Sequence, residues 1–227
     1  QNQAEVDADN EAAQAAGHSF YQTAAASPGD IRFLDLDGDG RVTGDDRDII
    51  GNPIPKLNFG FNARAAFKNF DFSMMLQGMS GFEIFNRNRA TQWETMQRAF
   101  NTVTTVLDRW TPENPSTTMP RAIAGDPNNN RRFSDRWMES GAFTRLKLLT
   151  IGYTVPPASL ANITKGAVSS LRIYATGNNL LTFTDVSLWD PEFTNSNANG
   201  FNNQFRGIGE SVYPQARSFM LGIQAKF

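Results

Sequence analysis

The sequence predicts an all-β chain: about five antiparallel strands forming the C-terminal segment of a large transmembrane β-barrel with long extracellular loops. Three observations predict it. From Ser218 the chain alternates strictly, with Phe219, Leu221, Ile223, Ala225 and Phe227 on one face and Ser218, Met220, Gly222, Gln224 and Lys226 on the other, because successive strand side chains point to opposite sides. That strand stops on an aromatic with no polar tail, whereas the termini of soluble domains usually fray into water. The connections between strands alternate between long and short, as in barrels with tight periplasmic turns and extended external loops.

Composition narrows the alternatives. The hydrophobic share of 40% is below the ~45–50% of ordinary globular chains, and 18 Phe with few charges marks a β-rich chain in which aromatics do much of the apolar covering. No run approaches the ~20 apolar residues of a membrane helix, so any spanning must be by strands. A net charge of -2 offers no electrostatic footprint for nucleic acid, and that class is set aside. The absence of cysteine excludes disulfides and thiolate metal sites. The opening QNQAEVDADNEAAQAAGHSF has neither a basic n-region nor an apolar h-region, so it is no signal peptide, and an exported chain would begin elsewhere.

Residues 1 to 30 are rich in Ala, Gln and Asn and read as a solvated segment with a short helix near residues 11 to 16. Next, Asp35, Asp37 and Asp39 occupy positions 1, 3 and 5 of an EF-hand-like loop, Gly40 position 6 and Asp46 position 12. In such a loop alternate side chains converge on one cation, Gly permits the sharp turn, and the carbonyl of position 7, here Arg41, adds an oxygen. Asp46 replaces the usual Glu with a shorter arm, and Asp45 or Thr43 are alternative ligands. Four crowded carboxylates repel one another unless a cation neutralises them, so calcium is the expected structural ion, bracing an external loop. Against this stands an Asp/Gly turn that merely solvates the loop.

The clearest secondary structure follows. Leu57, Phe59, Phe61, Ala63, Ala65 and Phe67 share one face, Lys68-Asn69 punctuates, and Phe70, Phe72, Met74 and Leu76 resume that face, an antiparallel hairpin with a tight turn. Between residues 80 and 140 the alternation disappears. The set Trp93, Met96, Phe100, Val103, Leu107 and Trp110 has helical spacing and predicts one amphipathic helix within a long connection. Strands return at residues 143 to 155 and 171 to 183. In the first, Leu149, Ile151 and Tyr153 form an apolar face with which Leu146 and Leu148 are out of phase. Residues 185 to 212 form another long loop before the terminal strand. Placing Phe227 at the periplasmic side puts the turns at Lys68-Asn69 and at residues 156 to 165 in the periplasm and every long segment outside. Phe59, Phe61, Phe72, Ile173, Leu221 and Ile223 then face lipid. Five strands cannot close a barrel, so further strands must come from chain beyond this sequence.

Five blocks carry a family resemblance: SPGDIRFLDLDGDGRVTGDDRDIIGNPIPKLNFGFN, DRWTPENPSTTMPRA, SDRWMESGAFTRLKLLTIGYTVP, LRIYATGNNLLTFT and YPQARSFMLGIQAKF, covering residues 27 to 227 in order. They resemble the C-terminal part of SusC/RagA-type TonB-dependent outer-membrane transporters. The resemblance implies a barrel of about 22 strands around an N-terminal plug, located in the Gram-negative outer membrane with its loops extracellular. It also implies a SusD-like lipoprotein lid, oligosaccharide or peptide cargo, and energy from TonB through an N-terminal part absent from this sequence. Residues 1–56 are then an extracellular loop carrying the acidic calcium loop at 35–46, and residues 57–227 are C-terminal barrel strands and extracellular loops. The chain is expected to be no enzyme. Plug, TonB box and signal are absent from it, so it resembles roughly the last quarter of such a transporter and would not transport alone.

The tryptophans invite a sugar-stacking reading, since aromatic faces suit pyranose rings. Trp93 and Trp110 fit the helix stripe and Trp137 adjoins a strand, which leaves Trp189, in the last external loop, as the candidate substrate contact. His18, the sole histidine, has no Ser or Cys motif beside it. The rival readings are a secreted calcium-bound β-sandwich that binds glycans and a carboxylate-pair glycosidase. The second has no supporting spacing.

Overall fold

A computed structural model describes residues 2–96, 101–192, 207–209 and 213–227. Its strands are β1 (Leu57–Phe67), β2 (Phe70–Ser80), β3 (Glu83–Asn86), β4 (Met138–Ser140), β5 (Phe143–Thr154), β6 (Ser170–Thr184), β7 (Ile208–Gly209) and β8 (Ser218–Lys226). Its helices are α1 (Gln3–Ala15) and α2 (Pro157–Thr164). The five expected strands are therefore present, four of them within a residue or two of their sequence bounds, while β2 continues past Leu76 to Ser80.

These five long strands form one antiparallel sheet in the order β1-β2-β5-β6-β8, each pairing with the next along the chain. Lys68 turns the first hairpin with φ 53, and α2, with prolines at its start and Lys165 in the left-handed conformation at its end, fills the short link from β5 to β6. Register makes the alternation of each strand add up across the sheet. One row runs Phe67, Phe70, Tyr153, Ile173, Ile223 and the next Ala65, Phe72, Ile151, Ala175, Leu221. The intervening row, on the opposite face, is Ala66, Asp71, Gly152, Tyr174, Gly222. The apolar face is open: Phe61 is 55% exposed, Ile223 71% and Leu221 86%. β1 and β8 are the two edges of the order.

The phase break in β5 is a β-bulge. Met75 pairs with Leu148 and Leu76 with Leu146, which leaves Lys147 as an extra residue opposite β2. Leu146 thereby joins Leu149, Ile151 and Tyr153 on the apolar face, while Leu148 turns to the other. Across the β6 pairing the same residue faces Asn179 and Leu180, and Asn179 adopts φ 52.

The chain divides into two compact units. The first takes Gln1–Gly51, Phe85–Met138 and Ile208–Glu210, and the second the remainder, including the large sheet. In the first, Phe85, Ala90 and Trp137 form a core against which Ile31, Met138 and Ile208 pack. A buried polar cluster supports it: the Asn128 amide bonds Gln22 and Asn130, and Asn130 donates to Asp30, which also holds Arg121. The segments before β1 and after β3 thus share one folded unit.

Two expectations need correction. α1 runs from Gln3 to Ala15 rather than from residue 11, because Asn2 and Glu5 close a capping box on its first turn and Ala propagates a helix well. The amphipathic helix across Trp93 to Trp110 is not formed by the described residues. Arg89–Trp93 is a π turn, Met96 has φ 49, Val103 is extended and Thr104–Asp108 is a 3-10 helix; Phe100 lies outside the described residues. Helical spacing without caps or continuous helix formers was outweighed by tertiary packing. No helix among the described residues is long and apolar enough to cross a membrane.

Candidate functional site

The acidic loop folds back on itself through its own carboxylates. Asp35 accepts from the N–H of Gly38 at 2.7 Å and of Gly40 at 2.8 Å, and those glycines adopt φ 77 and 94, where a side chain would be strained. Asp37 accepts from Asp39 N–H at 3.1 Å, and Asp39 from Arg41 N–H at 3.0 Å. The result is that Asp35, Asp37 and Asp39 bring carboxylate oxygens within 4.8 Å of one another. Three hard oxygen donors so placed can hold a metal ion. Asp46 returns to the start of the loop, accepting from Leu36 N–H and Thr43 N–H, each at 2.6 Å, so it closes the loop next to the triad. Arg41 places its guanidinium on Asp39 at 3.2 Å.

The charges of the loop respond differently. Three backbone N–H groups, Thr43 foremost, outweigh loss of water and hold Asp46 below the usual carboxylate value. At Asp37 the Asp39 N–H favours ionisation, but loss of water and the neighbouring Asp39 and Asp46 charges win and raise it. The first unit buttresses the loop: the His18 imidazole Nε2 lies 3.0 Å from the Asp39 carbonyl, and Val42 N–H donates to Tyr21 O at 2.6 Å.

The four tryptophans separate by environment. Trp137 is fully buried, donates to the Asn130 carbonyl, and has the Arg136 guanidinium 4.9 Å from its ring. Trp93 ends the π turn. Trp110 bridges to Arg121 and, with Gly29, Arg32, Met119 and Arg136, lines a cleft of about 550 Å³. Only Trp189 among them stands well out, 65% exposed between buried Leu188 and Asp190.

The polar face of the large sheet carries side chains that sequence reasoning missed. Arg172 of β6 reaches across β5 to Asp71 of β2, with Nε–Oδ1 at 2.8 Å. It can do so because residue 152 between them is Gly, where a Cβ would strike both side chains. Tyr174 lies over Gly222 in the same way. Thr150 and Thr176 pair their hydroxyls at 2.9 Å. Arg145, 2% exposed, meets Asp190 at 2.7 Å and Glu192 at 2.5 Å. The one signal for the first pair was the alternation itself, which put Arg172 and Asp71 opposite the apolar face.

An antiparallel meander with one open apolar face and one polar, ion-paired face is a wall segment of a transmembrane β-barrel. Comparison with known proteins gives the family. The chain is 35% identical over 203 residues to the TonB-dependent receptor P26 of Formosa agariphila, covering 88% of this chain and 20% of that one. The receptor P3 of the same organism is 36% identical over 89% of this chain and 19% of its own. SusC of Bacteroides thetaiotaomicron, a TonB-dependent receptor, is 25% identical over 93% of this chain and 20% of its own. Among solved structures, the RagAB peptide importer in the closed-closed state matches with a TM-score of 0.65 at 22% identity, covering 87% of this chain and 21% of that one. The RagAB peptide transporter matches with a TM-score of 0.62 at 24% identity, covering 77% and 17%. No family model matches the chain. The chain spans about a fifth of the length of the curated relatives it matches. It is homologous to the TonB-dependent receptors of the SusC and RagA type, outer-membrane transport proteins rather than enzymes, and its sheet has the fold of part of their barrel.

Proposed function

We propose that this chain forms the C-terminal strands and external loops of a TonB-dependent importer of oligosaccharides or peptides. The observation that carries the reading is the registration of apolar rows across all five strands, with ion pairs confined to the other face. Membrane lipid covers the apolar rows; the remainder of the barrel pairs with the edges β1 and β8, since an unpaired edge in lipid leaves backbone groups unsatisfied. A plug fills the lumen, TonB engages an N-terminal part, and a SusD-like lipoprotein closes the outer mouth. The peptide importer named among the structural matches supports cargo of that kind, and oligosaccharide is the alternative that the family resemblance of the sequence implies. Residues 1–56 lie outside the cell, and residues 57–227 supply the strands and the other outer loops.

The acidic loop at 35–46 holds calcium, with ligands from Asp35, Asp37, Asp39, Asp46 and the carbonyl of Arg41. The ion neutralises the like charges that raise Asp37 and so braces the loop. Trp189, held out between buried neighbours, contacts cargo.

The test is arginine substitution in the complete receptor containing this chain. Leu221→Arg should cost about 2–4 kcal/mol near the midplane and reduce the folded, heat-modifiable band in SDS, whereas Gln224→Arg should be tolerated. Equal losses at both positions would contradict a barrel wall.

A further inference from the structure

The barrel reading leaves the bulge in β5 unexplained, and bulges often re-aim side chains. This one keeps Leu146 and Leu149 together on the apolar face while Arg145 and Lys147 stay on the polar face. Both cations reach the segment that leaves β6. Lys147 Nζ lies 2.6 Å from a Glu192 carboxylate oxygen, and Arg145 reaches that oxygen at 2.5 Å, Asp190 at 2.7 Å and the Thr182 hydroxyl at 2.8 Å. Asp190 then does a second job. Its carboxylate accepts from Glu192 N–H at 2.8 Å and from Gln215 N–H at 2.7 Å, so one buried side chain joins the outgoing end of the last long connection, its returning end and the wall. The side chains of Arg145 and Asp190 are only 3% and 4% exposed, where salt screens a pair little.

We propose that Arg145, Lys147, Asp190 and Glu192 form a latch that fixes both ends of the connection between β6 and β8 to the inner face of the wall and thereby positions Trp189. The latch rests on the reading of the sheet as a barrel wall and deepens the role given to Trp189. These four are positioning residues. A tryptophan 65% exposed between two buried neighbours has its backbone anchored on both sides, so less freedom is left to lose when it meets a ligand.

The experiment uses the complete receptor with a nitroxide label on Trp189→Cys. The label should give an immobile spectrum in the parent, and Asp190→Ala or Arg145→Leu should shift it to a mobile one. Arg172→Leu, which breaks the other inner-face pair, should leave it unchanged. Should Arg145→Leu fail to give heat-modifiable protein, Glu192→Gln serves in its place and should produce a smaller shift in the same direction. An immobile label in heat-modifiable Asp190→Ala and Glu192→Gln overturns the latch, as does equal loosening by Arg172→Leu. Loss of heat modifiability in the parent receptor contradicts the barrel wall and the latch built on it, whereas the label spectra test the latch alone.

Discussion

At Asp190 burial favours the neutral acid, but the Arg145 hydrogen bond and the N–H groups of Gln215 and Glu192 prevail and hold it below the usual carboxylate value. A depressed folded-state pKa contributes stability that is present above the unfolded value, about 3.9, and is lost as pH falls through the folded one. With Arg145, Lys147 and Glu192 the charged groups around it, labels at position 189 should therefore give the same spectrum at pH 7 and pH 5 and loosen only below about pH 4. Loosening near neutrality would point to a different group. For the acidic loop, terbium luminescence or calorimetry should show one divalent site, weakened at least about tenfold by Asp35→Ala, the loss typical even of outer partners; undiminished binding in that variant would remove the loop as the site. The Asp35, Asp37 and Asp39 grouping was legible because its ligands lie within a few residues, so spacing encodes geometry. Arg145 and Asp190 are 45 residues apart, and Asp71 and Arg172 101 apart. Nothing local in the chain tells which of many carboxylates each arginine meets.

Strands were legible wherever apolar and polar residues alternate, because period two is a property of the backbone itself. The break at Leu146 and Leu148 was visible as a fault in phase, but its resolution depends on the partners β2 and β6. The stripe from Trp93 to Trp110 misled because periodicity says which face could be apolar, not whether the backbone is helical. The inner face also makes a prediction for glycine. Gly222→Ala should displace the Tyr174 ring and cost about 1–3 kcal/mol, as overpacking does. Gly60→Ala, whose Cβ would meet only the Leu76 carbonyl at 3.8 Å, should be close to neutral. The temperature at which the SDS-resistant form unfolds distinguishes them, and equal shifts would mean that Tyr174 does not lie over Gly222.

Over the whole chain, two kinds of structure coexist: a sheet whose apolar face is open, and a unit with its own core around Trp137. Alternation and connection length made the barrel wall readable. The gathering of residues 1–51 with 85–138 was not, since it rests on amides such as Gln22 and Asn128, 106 residues apart. The open face is costly in water, about 25 cal/mol for each Å² of apolar surface left exposed, and costs nothing against lipid. The central claim is that this face meets the membrane. Nitroxide labels placed singly at Phe219, Leu221, Ile223, Met220 and Gln224 of the complete receptor in bilayers test it most directly, by comparing collisions with oxygen, which concentrates in lipid, and with a water-soluble nickel chelate. Labels at 219, 221 and 223 should favour oxygen and those at 220 and 224 nickel. Equal access of the nickel chelate to both sets would contradict it.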